Sequence, residues 1–71
     1  MREVYIKSEL IRLDQLLKWA DITSSGGEAK TIIQQGLVKV NGENSTQRTR
    51  KIFPGDVVTV ENDSILICFH G

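Results

Sequence analysis

The sequence predicts an α+β fold, a two-helix hairpin packed on a small, mostly antiparallel β-sheet. Two observations carry that prediction. In the first half of the chain, apolar residues recur at the i, i+3, i+4, i+7 spacing of a buried helix stripe, first at Leu13, Leu16, Leu17 and Ala20, then at Ala29, Ile32, Ile33 and Gly36. After Gly36 the apolar period shortens to two. Turn residues punctuate this second half at Asn41-Gly42, Pro54-Gly55-Asp56 and Asn62-Asp63-Ser64.

Taken in order, "EVYIK" is a short strand with Val4 and Ile6 on one face. Ser8 offers an N-cap, and "ELIRLDQLLKWADI" reads as the first helix, with Asp14 and Lys18 spaced to pair on its solvent side. The second helix starts near Ser25. There Ser25 and Glu28 match a capping box, in which serine and glutamate cap each other's amides. Gly36 supplies its C-cap. "LVKV" is a strand, and Asn41-Gly42 signals a type I′ hairpin turn. Residues 43–53 return partly as strand and partly as loop. "VVTV" and "ILICF" complete the sheet. The latter is apolar on both faces, which calls for cover on both.

The 71 residues amount to a single domain over 1–71, too small for a deep pocket. One cysteine, Cys68, cannot form an internal disulfide, and no apolar run is long enough to span a membrane. With an amino end unlike a signal peptide, the expected location is the cytoplasm. No nucleophile–base set or metal-ligand spacing is present, so neither catalysis, a cofactor, a metal nor a small-molecule substrate is expected. His70 is lone and suggests no role, and Cys68 reads as a small core residue. Trp19, Tyr5 and Phe53 read as edge-of-core residues in preference to base-stacking platforms.

Nine Lys and Arg balance nine Asp and Glu, so a polyanion partner requires the charges to be sorted by face. Between Asn44 and Gly55 there is no acid, while Arg48, Arg50 and Lys51 cluster there. On an extended segment Arg48 and Arg50 would project to the same side. Gly26 and Gly27 stand where the second helix begins, a place that costs helix stability and leaves amides approachable by a phosphate. A flexible turn and a solvated basic loop are the plainer alternatives. Glu28 would compete for the same amides.

"RLDQLLKWADI", "SSGGEAKTIIQQGLVKVNGE" and "KIFPGDVVTV" resemble the RNA-binding domain named after ribosomal protein S-four, over residues 10–60. "SGGEAK" with "RTRK" resembles its small stand-alone bacterial members of the YaaA and YbcJ type. The resemblance implies an S-four-like fold with an alpha-L motif and a non-catalytic contact with structured RNA. Its implied partner is ribosomal RNA or a ribosomal subunit precursor, in assembly or quality control of the large subunit. By position, it implies contacts from Arg12, Lys18, Ser25, Lys30, Arg48, Arg50 and Lys51. Many members carry arginine where this chain has Gly26, which removes one phosphate contact. A small protein-interaction adaptor without RNA contact, or weak self-association through "ILICF", remains the alternative.

Overall fold

The apolar stripes of two short helices meet one face of a five-stranded sheet. The computed structural model describes residues 1–70. Its elements are β1 (Arg2–Ile6), β2 (Ile11–Arg12), α1 (Leu13–Trp19), α2 (Gly26–Gln34), β3 (Val38–Val40), β4 (Glu43–Asn44), β5 (Lys51–Ile52), β6 (Val57–Val60) and β7 (Asp63–Phe69). The main sheet runs β1-β7-β6-β3-β4, with β1 parallel to β7 and every other pair antiparallel. A separate two-residue ladder joins β2 to β5.

Alternation in the strands sends Ile6, Val38, Val40, Val58, Val60, Ile65 and Ile67 to the helix side. There they meet Leu13, Leu16, Leu17, Ala20, Ala29 and Ile33, with Ile52 of β5 closing the end. Each buried leucine or isoleucine contributes roughly 1.5–3 kcal/mol. In so small a chain, trimming Leu16 or Ile33 to alanine would remove a large share of a total stability of about 5–15 kcal/mol.

The first helix is shorter than its sequence pattern suggests. Ser8 is not its N-cap, because its hydroxyl donates to the Leu10 carbonyl at 2.6 Å and holds a bend. Ile11 and Arg12 are extended and pair with Ile52 and Lys51, so tertiary pairing overrides helix propensity there. Both helices end in a Schellman motif. The Ile22 amide donates to Leu17 O and the Leu37 amide to Ile32 O, around left-handed Asp21 (φ 61°) and Gly36 (φ 78°). Asp21 is the terminator that the sequence pattern did not reveal.

At the first hairpin Asn41 (φ 52°) and Gly42 (φ 86°) both adopt positive φ, as a type I′ turn requires. The last hairpin turns at Glu61 and Asn62, not at 62–64. Asp63 and Ser64 already belong to β7. That strand lies between β1 and β6 with Ile65 and Ile67 inward. Leu66 and Cys68 face outward and are half-buried, so Cys68 is not a core residue.

Candidate functional site

Segment 47–50 is a tight turn, closed by the Arg50 amide donating to Gln47 O at 3.2 Å. Arg48 and Arg50 therefore do not alternate along a strand, and the extended segment on which their shared direction was expected is a turn instead. Arg48 is exposed and Arg50 half-buried. The turn sits against the start of α1. The Arg50 carbonyl accepts from the Leu13 amide (2.8 Å) and the Arg48 carbonyl from the Asp14 amide (3.1 Å). Backbone from the basic turn thus satisfies amides that a helix start leaves orphaned.

Asp14 fixes the other side of this junction. It is buried and does not pair with Lys18. Its carboxylate accepts from the Arg12 side chain through Nε (3.1 Å) and Nη2 (2.6 Å), and from the Gln15 amide (2.8 Å). Burial pushes the Asp14 carboxyl up. The Arg12 hydrogen bonds, the Gln15 amide and the charges of Arg12 and Arg48 outweigh this and hold it below the usual carboxylate range. The same hydrogen bond, with the carboxylate's charge, raises Arg12. Arg12 keeps unused N–H donors and an exposed side chain.

These groups line an open groove of about 300 Å3, bounded by Arg12, Asp14, Gln15, Lys18, Gly26 and Arg48. Three cations face one carboxylate, so the groove carries a net charge of about +2. Among the described residues the ion pairs are Arg2–Asp63 and Arg12–Asp14. Lys18, Lys30, Arg48, Arg50 and Lys51 are left without a carboxylate partner among those residues.

The far wall is the start of α2. Ser25 caps it, its Oγ accepting from the Glu28 amide at 3.2 Å, and the Ser25 carbonyl accepts from the Ala29 amide. Among the described residues nothing accepts from the amides of Gly26 and Gly27. Glu28 does not take them; its carboxylate accepts from the Ser24 hydroxyl at 2.9 Å. The capping box is therefore only half formed. A Cβ built on Gly26 meets nothing within 4 Å, and one on Gly27 meets only Ser25 Oγ at 3.9 Å. Neither glycine is demanded by packing or by positive φ.

The structure thus gathers Arg12, Lys18, Gly26 and Arg48 into one groove. Lys30 lies four residues after Gly26, on the same helix face, and Lys51 stands opposite Arg12 in the β2–β5 ladder. Arg50 contributes chiefly its carbonyl. Asp14 and Gln15 were missed by sequence reasoning. The available signal was Asp14's place beside Leu17 at the edge of the apolar stripe. Trp19 (55% exposed), Tyr5 and Phe53 lie on the surface, not at the edge of the core.

Among the described residues, no cluster of three or more His, Cys, Asp or Glu side chains is arranged to hold a metal, and no helix is long and apolar enough to cross a membrane.

The S4 domain family model matches residues 4–68. The chain is 45% identical over 58 residues to the probable ribosome maturation protein RlbA of Bacillus subtilis, with 82% of each chain aligned. It is 41% identical over 59 residues to the tyrosine–tRNA ligase of Nitrosomonas europaea, but these are 83% of this chain and only 14% of the ligase. Its fold superposes on the solution structure of E. coli YbcJ, described as revealing an alpha-L motif involved in RNA binding. That comparison gives a TM-score of 0.73 at 32% identity, covering 96% of this chain and 87% of YbcJ. With a family match over nearly its whole length and the two-helix, mostly antiparallel architecture of YbcJ, the chain belongs to the S4 domain family.

Proposed function

We propose that this protein is a non-catalytic binder of structured RNA, that the RNA is ribosomal, and that it acts in the cytoplasm in assembly or quality control of the large ribosomal subunit. One observation carries the reading. Arg12, Lys18 and Arg48 converge on a groove that reaches Gly26, whose amide, like that of the next residue Gly27, has no acceptor among the described residues. Arginine forks and N-terminal amides are phosphate-binding groups, and a glycine surface lets a sugar–phosphate backbone come close. Placing glycine at the first two positions of a helix costs stability and nothing within the fold requires it, so a contact from outside explains the pair. The name of RlbA supports a ribosomal setting, and the description of YbcJ supports RNA binding. The large subunit enters through the resemblance to stand-alone family members.

Phosphate contacts release counterions. If about four are made, raising salt from about 50 to 200 mM weakens binding roughly fifty- to 150-fold. Titration of structured ribosomal RNA fragments at both salts tests this, and an affinity indifferent to salt overturns it. Alanine at Lys18 and Arg48 should weaken binding far more than alanine at Glu61 or Asp63. Sedimentation of cell extracts shows whether the protein travels with a large-subunit precursor. Migration with small-subunit particles alone would overturn that part of the reading.

A further inference from the structure

A second recess lies on the surface of β2 and α1. Ile6, Lys7, Ser8, Ile11 and Trp19 line an open cavity of about 300 Å3. Ile6 is fully buried, while Trp19 keeps more than half its surface exposed. The indole is not loose. Its Nε1 donates to the Tyr5 carbonyl at 2.8 Å, which ties down the ring's polar edge. The Ser8 hydroxyl is likewise occupied by Leu10 O. What remains for a ligand is apolar ring surface, aliphatic wall and the Lys7 ammonium, which has no carboxylate partner among the described residues.

The recess and the basic groove share no lining residue, and both draw on β2 and α1, Ile11 and Trp19 lining one and Arg12, Gln15 and Lys18 the other. Gln15 of the groove lies four residues before Trp19 and so neighbours it on the helix surface. A chain lying in the groove reaches Trp19 by way of Gln15, and Lys7 lines the recess with it. An anchored aromatic surface beside an unpaired Lys is the combination that holds a single-stranded nucleotide, the base stacking and the phosphate paired.

We propose that this recess receives one unpaired nucleobase of the bound RNA, stacked on Trp19, with Lys7 on the adjoining phosphate. The inference rests on the RNA reading of the groove and adds to it a preference for a duplex that ends in, or is interrupted by, unpaired nucleotides. Because the indole N–H and the Ser8 hydroxyl are occupied within the protein and Lys7 is assigned to the phosphate, the base is held by stacking and its identity is weakly read.

Trp19 is the sole tryptophan, so intrinsic fluorescence reports on this site directly. The probes are a blunt RNA duplex and the same duplex with a single-stranded adenosine overhang. The overhang should quench Trp19 and raise affinity roughly five- to a hundredfold over the blunt duplex. Trp19→Leu should abolish that ratio and Trp19→Phe should keep part of it, circular dichroism confirming that each variant is folded. The wild-type quench is read without any variant. If both RNAs bind equally, with salt dependence and no quench, the base recess is overturned and the groove stands. If the overhang still gains affinity in Trp19→Leu, the recess is likewise overturned. If neither RNA binds, both readings fall. Quenching by an apolar peptide in place of RNA would assign the recess to a protein partner and overturn the proposal.

Discussion

The two helices end alike and begin differently. Each stops in a Schellman motif around a left-handed residue, Asp21 in one and Gly36 in the other. At the start of α1 three consecutive amides are claimed by the protein itself: Leu13 by Arg50 O, Asp14 by Arg48 O and Gln15 by Asp14 Oδ1. At the start of α2 the amides of Gly26 and Gly27 go unclaimed among the described residues. The positive end of a helix dipole attracts either protein acceptors or an external anion. One entrance is spent on holding the basic turn in place, and the other is left open. The turn serves both, with its carbonyls directed to α1 while Arg48 lines the groove that ends at Gly26.

Damage at the closed entrance should therefore fall on stability. Asp14→Ala removes the acceptor of the Gln15 amide and of two Arg12 donors. Lost hydrogen bonds to a charged group cost about 2 kcal/mol, or roughly 10 °C in melting midpoint for a domain this size. The folded fraction should keep its RNA affinity, since the groove loses its one carboxylate. Calorimetry and RNA titration together check both halves. A collapse of affinity with unchanged stability would make Asp14 a positioning group for Arg12 and erase the contrast. The pH dependence has a defined sign. The Asp14 carboxyl titrates below its ordinary 3.8 in the folded state, so its contribution is complete above that pH. As pH falls from there through the lower folded value, the unfolded chain takes up the proton first and the contribution is lost. The stability gap between wild type and Asp14→Ala should therefore close in that acid range.

The open entrance predicts the reverse pattern. Alanine at Gly26 meets no atom within 4 Å and needs no change of backbone region. Helix stability should rise, by up to about 1 kcal/mol. RNA affinity should fall roughly two- to fivefold, because a methyl group then stands where the phosphate approaches. Thermal melts and titrations of Gly26→Ala measure the two effects on one sample. A gain in stability with unaltered affinity would return the glycine pair to a turn with no ligand.

The contrast also marks how far the sequence could be read. The apolar stripes, Gly36, the Asn41-Gly42 turn and the alternating strands are local signals, and the structure realises each of them. The long first helix, the Asp14–Lys18 pair and the alternation of Arg48 with Arg50 fail for one shared reason. Residues 48–52 fold back on 11–14, and that long-range pairing decides which amides are capped, which charges meet and where the helix begins. Trp19 fails in a related way. Its helix position borders the apolar stripe, but the Tyr5 carbonyl holds the indole at the surface, and a carbonyl leaves no trace in the residue pattern.

Glu28 supplies the smallest and most discriminating change. Its carboxylate sits in the first turn of α2, where negative charge steadies the helix, and it is held aside by the Ser24 hydroxyl. Glu28→Gln keeps a carbonyl oxygen for that hydroxyl and removes the charge. The helix should lose a few tenths of a kcal/mol. Since the lost charge would repel a phosphate at Gly26 and Gly27, RNA affinity should rise about twofold at low salt, and the gain should shrink as salt screens it. An open entrance requires this opposition between a slightly weaker helix and a slightly tighter complex. An entrance that no anion visits would show the first effect without the second, and side-by-side titrations of wild type and Glu28→Gln at two salt concentrations separate the two cases.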